Sequence, residues 1–271
     1  MNIAETIEQI AEKSKPRENP GDYRENGVLY CGRCKTPKEC IIEIMGNPKR
    51  VGCQCKCEKE RYDADKEEER KRQEGYRIER LRAEGIQDRT LEQCRFENAR
   101  PSETIKRCKR YAGNWPTMLD NNIGLLLYGG PGGGKTFAAA CIANYLIDRS
   151  VPVMMTSLSR ILNSGMDKSE IIESLHRYKL MILDDLGVER KSEYAMEIVY
   201  TVVDERYKAN LPLIVTTNLS TDDIKRPSNN DYARIYSRIE EMCQPLYVQA
   251  AGYRQDKADE KRRVVREVLG I

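Results

Sequence analysis

The chain has 271 residues, 33% of them charged, and a mean hydropathy of −0.69, enough length for one sizeable core and a small appendage. It has no run of about 18 apolar residues, so no membrane span is expected. The N-terminus MNIAETIEQIAEKSKPRENP lacks the apolar stretch of a secretory signal, so a cytoplasmic location is expected. A formal net charge of +3 permits nucleic-acid binding without arguing for it.

First in chain order comes a leader, residues 1–57, dominated by cysteine. Six of the ten cysteines lie from Cys31 to Cys57, and in a reducing compartment such a cluster suits metal better than disulfides. Cys31-Gly-Arg-Cys34 is a CxxC knuckle, and after Cys40 comes Cys53-Gln-Cys55-Lys-Cys57. Two short cysteine pairs separated by about twenty residues can close a tetrahedral four-thiolate zinc site. A leader with few large apolar residues would draw most of its stability from that metal. Reactive or disulfide-bonded cysteines are the competing reading. Cys94, Cys108, Cys141 and Cys243 read as small buried apolar residues. Residues 58–88 form a linker in which both charge signs interleave, predicting a solvated helix laced with i,i+4 pairs and interrupted or bent at Gly75.

From 89 to 271 apolar runs alternate with helical patterns, as a parallel sheet covered on both faces requires. Strands are predicted at Gly124–Tyr128, Pro152–Thr156, Leu180–Leu183, Leu213–Thr216 and Leu246–Gln249. Helices are predicted at Lys135–Asp148, Leu158–Leu162, Ser169–Tyr178, Tyr194–Lys208, Asp231–Met242 and Asp256–Leu269. The fold class is therefore α/β, one doubly wound domain on a parallel five-stranded sheet.

Gly129-Gly130-Pro131-Gly132-Gly133-Gly134-Lys135-Thr136 satisfies G-x-x-x-x-G-K-[ST] at every fixed position, directly after an apolar strand and directly before a helix. Glycines let backbone N–H groups curl around a β-phosphate, and the helix N-terminus adds its positive end. Lys135 would neutralise the β/γ oxygens and the Thr136 hydroxyl would ligate Mg²⁺. The nucleotide-contacting candidates run from Gly129 to Phe137. About fifty residues later, the apolar run Leu180-Met-Ile-Leu ends in Asp184-Asp185. Asp184 can hold Mg²⁺, and Asp185 can orient or deprotonate an attacking water. A third apolar strand ends in Thr216-Thr217-Asn218, where Asn218 could hydrogen-bond the γ-phosphate or that water. His176 reads as a surface or packing residue without an evident Cys or carboxylate partner, and Trp115 as a residue packed at a domain edge.

GLLLYGGPGGGKT, LMILDDLG and VDERYKANLPLIVTTNLS together resemble the AAA+ ATPases of the DnaC/DnaI-type helicase loaders and the related IstB-like group. The cysteine-rich leader and charged linker resemble the phage or Firmicute branch of the loaders. The ATPase resemblance covers roughly Arg89 to the C-terminus, with CRFENA around Phe96 similar to the segment that leads into the core. The P-loop is shared by P-loop NTPases at large, whereas DDLG with TTN is specific to this subgroup.

The resemblance implies ATP as the nucleotide, weak hydrolysis stimulated by DNA or a partner, and an ATP-dependent homo-oligomer. It implies delivery of a DnaB-type replicative helicase onto single-stranded DNA in replication initiation, with the insert Arg160–Lys168 as a candidate DNA contact. Arg234-Ile-Tyr-Ser-Arg238 matches the motif holding the arginine finger, so by similarity Arg238 would reach a neighbouring subunit's site, with Arg234 beside it. Gly252-Tyr253-Arg254 matches the second sensor, whose Arg254 would touch the γ-phosphate of its own subunit. Loader leaders carry their second cysteine pair as CxCE, which implies Cys31, Cys34, Cys55 and Cys57 as the Zn²⁺ ligands and leaves Cys40 and Cys53 spare. Two departures stand out: Asp184-Asp185 replaces the wider family's Asp-Glu, and the helical lid after Arg254 is reduced. An IstB-like ATPase that assists a transposase is the nearest rival reading, and a non-hydrolysing adaptor using ATP as a structural ligand is another.

Overall fold

The computed structural model describes residues 16–44, 47–165, 168–187, 193–226, 230–249 and 253–270. Its contacts divide the chain into two compact units, Met1–Gly75 and Tyr76–Ile271.

The first unit holds two antiparallel hairpins and part of a helix. Strands β1 (Tyr23–Glu25) and β2 (Val28–Tyr30) are joined by Asn26-Gly27. Both joining residues have positive φ, at 48° and 76°, as a two-residue hairpin turn matched to strand twist demands. Strands β3 (Glu39–Ile44) and β4 (Asn47–Gly52) pair from Glu39↔Gly52 onward. Helix α1 (Lys56–Gly85) then begins within the last cysteine pair. It runs through Gly75 without interruption, contrary to the break expected there, and Glu67–Arg70, Glu67–Lys71 and Arg80–Glu84 are among its ion pairs at helical spacing.

The core of this unit is small. Among the described residues, Leu29, Cys31, Cys55 and, unusually, Lys38 are its buried side chains. Lys38 is 1% exposed, and its Nζ lies 2.8 Å from Asp22 Oδ2, 3.6 Å from Glu58 Oε1 and 2.5 Å from the Arg17 carbonyl. Burial works against the ammonium, but Asp22 and Glu58 more than offset it and raise its pKa. Lys38 in turn, ahead of two backbone N–H donors, pulls the Asp22 carboxyl down to about 2.

The second unit is built on five parallel strands in the order β6-β7-β8-β5-β9, namely β5 (Gly124–Tyr128), β6 (Val153–Ser157), β7 (Leu180–Leu186), β8 (Leu213–Thr217) and β9 (Cys243–Tyr247). Side-chain alternation splits the core between the two faces. Leu125, Leu127, Ile182 and Ile214 face one cluster, which includes helices α2 (Glu103–Gly113) and α4 (Lys135–Ile147). Leu126, Met181, Leu183, Leu213 and Val215 face the other, with α7 (Glu193–Lys208) and α9 (Asn230–Met242). The helix α3 (Trp115–Asp120) places Trp115 inside the first cluster, edge-on to Tyr111. Short helices α5 (Leu158–Asn163), α6 (Lys168–His176) and α8 (Thr221–Lys225) complete the connections, and α10 (Tyr253–Leu269) follows the sheet.

The predicted elements stand within a few residues of the observed ones, with one larger correction. The last strand is Cys243–Tyr247 rather than Leu246–Gln249. Pro245 lies inside it, which an edge strand tolerates and a central one does not. Cys94, Cys108, Cys141 and Cys243 are all buried, as expected for apolar filler. Arg206 was not singled out from sequence, yet it is 1% exposed. Its guanidinium donates to the carbonyls of Leu175, Tyr178, Lys179 and Pro212 at 2.7–3.1 Å. Burial without a carboxylate pulls its pKa down to about 10.

Candidate functional site

The strand order decides where the site forms. From β5 the chain crosses β8 and β7 to reach β6, and later returns to place β9 on the other side of β5. The winding therefore reverses at β5, and ligands of open α/β sheets sit at such a switch point, beyond the carboxyl ends of the strands. The P-loop after β5, Asn218 after β8 and Asp184-Asp185 at the end of β7 all lie on that edge.

The P-loop conformation needs its glycines. Gly129 has φ 138°, and a Cβ there would come within 2.4 Å of the Val248 carbonyl oxygen. Gly134, at φ 90°, caps the N-terminus of α4 in the left-handed region. Lys135 folds back over the loop: its Nζ donates to the carbonyls of Gly129 (2.8 Å) and Gly130 (2.9 Å) and to Asn218 Oδ1 (2.7 Å).

Asp184 and Asp185 occupy an irregularity in the β7–β8 pairing, where the register shifts between Leu183 and Leu186. Asp185 has φ 60°, a left-handed conformation that is uncommon for a non-glycine residue, above all inside a strand. In a regular strand the two carboxylates would point to opposite faces; this bulge re-aims Asp185, whose Oδ1 accepts from Asn218 Nδ2 at 3.3 Å. Asp184 accepts from the Thr216 hydroxyl at 2.6 Å, and the Thr136 hydroxyl also favours its charged form. Burial pushes its carboxyl above the usual range, against the lowering effect of these two hydroxyls. Thr136 and Asp184 thus offer adjoining hard oxygen donors, the set that suits Mg²⁺.

Thr216 is the residue that the sequence reading passed over. It is fully buried, donates to Asp184 and accepts from the Asp185 amide at 2.9 Å, so one hydroxyl fixes both acidic positions. Its signal was present in TTN, as a polar residue inside an apolar strand. A cleft of about 1010 Å³ opens over this assembly. Residues 131–138, Asp185 and Asn218 line one side, with Ile105, Arg107, Leu246 and Val248 among those lining the rest.

Arg238 does not join these residues. It lies in a separate, shallow pocket formed by α7 and α9, with Arg234 exposed beside it. Its Nη2 is 2.8 Å from Asp204 Oδ1, and its guanidinium lies over the rings of Tyr200 (4.9 Å) and Tyr207 (5.6 Å). The Tyr200 hydroxyl and Asp204 stabilise the charged guanidinium. Arg254 falls in the first turn of α10, and its side chain lies outside the described residues. Arg160 donates to the Gln87 carbonyl at 2.7 Å, a local anchor, while the Lys168 side chain is outside the described residues. His176 does have a carboxylate beside it, Glu205 at 3.5 Å, contrary to expectation.

In the first unit, the sulfurs of Cys31, Cys34, Cys55 and Cys57 all lie within 4.8 Å of one another. Cys57 Sγ is 3.6 Å from Cys31 Sγ and 3.5 Å from Cys55 Sγ. A disulfide needs about 2.05 Å, whereas thiolates about 2.3 Å from a tetrahedral zinc stand about 3.8 Å apart, so the quartet fits Zn²⁺. Cys53 points elsewhere, toward the Pro37 carbonyl at 3.7 Å, and Cys40 is exposed. The Thr36 hydroxyl, 3.1 Å from Cys34 Sγ, draws that thiol down to about 5. Asp22 Oδ1 accepts from Gly32 N (2.9 Å) in the first knuckle and Glu58 Oε2 from Cys55 N (3.3 Å) in the second, and Lys38 joins the two carboxylates.

Among curated proteins, the replicative helicase loader DnaC of Escherichia coli K12 is 28% identical over 143 residues, covering 49% of this chain and 58% of the loader. The chain thus spans little more than half the length of that relative. The phage-like element PBSX protein XkdC of Bacillus subtilis is 26% identical over 261 residues, covering 90% of this chain and 92% of XkdC. The crystal structure of DnaI superposes with a TM-score of 0.53 at 21% identity, over 61% of this chain and 96% of that one, which shows a common AAA+ fold. The family model for IstB-like ATP binding proteins matches residues 58–260. With that match spanning most of its length, the chain belongs to the family of IstB-like ATP-binding proteins.

Proposed function

We propose that the protein is an ATP-hydrolysing helicase loader, which delivers a ring-shaped DnaB-type replicative helicase onto single-stranded DNA. The observation that carries the ATPase half of this reading is the meeting of Lys135, Thr136, Asp185 and Asn218 at one cleft, with Asp184 tied to Asp185 through the Thr216 hydroxyl. Likeness to DnaC supports the loading half. The division of labour is a zinc-bearing leader (1–57) that contacts the helicase, a charged linker (58–88) and an ATPase domain (89–271).

In this reading Lys135 exchanges its carbonyl and amide acceptors for the β/γ-phosphate oxygens, beside N–H groups of the 129–134 loop. Bound Mg²⁺, held by Thr136 and Asp184, supplies charge neutralisation at those phosphates. Asp185 and Asn218 orient the attacking water. Arg238 reaches the γ-phosphate of a neighbouring subunit and Arg254 that of its own, so hydrolysis belongs to an ATP-dependent homo-oligomer in the cytoplasm. Zn²⁺ on Cys31, Cys34, Cys55 and Cys57 holds the leader together.

The test is helicase capture and loading. Immobilised protein should retain the host's replicative helicase and raise its occupancy on single-stranded DNA in an ATP-dependent manner, and Lys135→Ala should not. Absence of helicase binding, with stimulation of a transposase instead, would replace the loader by the transposition-assisting reading. The finger is tested by mixing: inactive Arg238→Ala and inactive Lys135→Ala proteins should recover activity together, because an intact arginine then faces an intact P-loop. Activity per subunit that does not depend on concentration, with no recovery on mixing, would remove Arg238 from the mechanism.

A further inference from the structure

Arg238 is held unlike an ordinary surface arginine. Its side chain is 28% exposed, its partner Asp204 only 10%, and its charge rests on two phenol rings. Two of those contacts are themselves held. Lys208 Nζ lies 2.8 Å from Asp204 Oδ2, the oxygen that Arg238 does not use. The Tyr207 hydroxyl donates to Glu241 Oε1 at 3.0 Å. The α9 guanidinium is thus met by Asp204, Tyr200 and Tyr207 from α7, with Glu241 of α9 holding Tyr207.

The guanidinium is held closely against α7. Nη2 forms an ion pair with Asp204 at 2.8 Å, and Nη1 is closed off from solvent between α7 and α9. Loose arginines sample many rotamers, and an arginine that must stabilise charge in another subunit gains from being fixed before that subunit arrives. The pocket in which it sits is open, and Arg234 and Ser237 add a second cation and a hydroxyl to its rim. That chemistry suits a phosphate brought by a partner.

We infer that Asp204 is the positioning residue of Arg238: its ion pair with the guanidinium, backed by Tyr200 and Tyr207, fixes the direction in which the partly exposed side chain faces the terminal phosphate of a nucleotide on a second copy of this chain. The inference rests on the proposed action of Arg238 between subunits. Asp204 touches neither phosphate nor water; its effect passes through Arg238 alone.

The test uses Asp204→Asn in the full chain, which keeps the side-chain shape and removes the charge. Its ATP affinity and KM should stay within about twofold of the unmodified protein, while kcat falls about tenfold or more, since misplacing a catalytic group by about an ångström costs that much. Mixing with Lys135→Ala protein should restore turnover, because the second subunit brings a correctly held Arg238 to an intact P-loop. A defect of general folding would not be restored in this way. In the Arg238→Ala background, Asp204→Asn should cause no further loss. Should Asp204→Asn fail to bind ATP, Tyr200→Phe carries the same test, with a smaller fall in kcat that mixing restores. Two results would overturn the inference while leaving the finger in place: Arg238→Ala rescued by mixing while Asp204→Asn turns over normally, or turnover that rises in Asp204→Asn. If Arg238→Ala itself is not rescued, the reading on which the inference rests has failed.

Discussion

Asn218 bridges Lys135 and Asp185: its Oδ1 accepts from Lys135 Nζ at 2.7 Å, and its Nδ2 donates to Asp185 Oδ1 at 3.3 Å. A neutral amide between a cation and a carboxylate keeps both within reach of a phosphate, yet holds them from pairing directly. Asn218→Asp would place a third carboxylate here and capture Lys135 as a salt-bridge partner. Turnover should drop about a hundredfold, with ATP affinity also weakened, since oriented polar groups in such sites contribute about that much. Steady-state hydrolysis with a parallel nucleotide titration measures both effects.

Lys135→Ala removes the one buried cation of the P-loop. Hydrogen bonds to charged groups are worth about 1.5–3 kcal/mol, so ATP affinity should weaken about tenfold to a hundredfold. Titration with a fluorescent ATP analogue reads this directly, and unchanged affinity would contradict the assignment.

Thr216→Val is the sharper variant. Valine keeps the shape of the buried side chain and deletes the hydroxyl that joins Asp184 to the Asp185 amide. Turnover should fall about tenfold to a hundredfold, the usual range for a residue that orients a metal ligand. ATP binding in the absence of Mg²⁺ should be unchanged, because Thr216 faces the carboxylates and not the loop.

Zinc gives a test independent of nucleotide. Elemental analysis should find about one Zn²⁺ per chain, lost in Cys31→Ser, Cys34→Ser, Cys55→Ser and Cys57→Ser but kept in Cys40→Ser and Cys53→Ser. Chelation should unfold the first unit and leave the second unit's thermal transition in place. Loss of metal in Cys53→Ser with retention in Cys55→Ser would reassign the ligand set.

Lys38→Met should weaken zinc binding by about tenfold or more, although Lys38 is no ligand. Asp22 and Glu58 hold the two knuckles through Gly32 N and Cys55 N, and Lys38 holds both carboxylates; second-layer partners of metal sites contribute on that scale. Competition against a chromophoric chelator measures it.

Local signals made much of this legible in sequence. The P-loop, the carboxylates after Leu183 and four of the five strands announce themselves within a dozen residues, because glycine geometry, helix starts and apolar runs are short-range properties. The last strand did not, since Pro245 breaks the apolar run that would reveal it. Helix α2 went unread although Ser102 caps it, its hydroxyl accepting from Ile105 N at 3.2 Å. The hairpin turn at Asn26-Gly27 is likewise written plainly in the sequence. What sequence could not reveal are the long-range partners. Asp204 and Arg238 stand 34 residues apart and meet only when α7 and α9 pack. Lys38, a lysine in a polar stretch, gives no local sign that it is the buried centre of the leader.

Arg206 acts from the far end of the sheet. It grips the carbonyls of Lys179 and Pro212, the residues just before β7 and β8, while Asp184 and Asn218 stand at the opposite ends of the same strands. Each strand advances about 3.3 Å per residue, so a slip of one strand past its neighbour would carry Asp184 a full step away from Thr216 and Asn218. Arg206 is thus a phase lock: it sets the two strands in step at the floor of the domain, and the timing of the acidic pair against the amide at the rim is inherited from it. Damage to that lock would be read as a catalytic lesion in an enzyme whose every reacting group is intact.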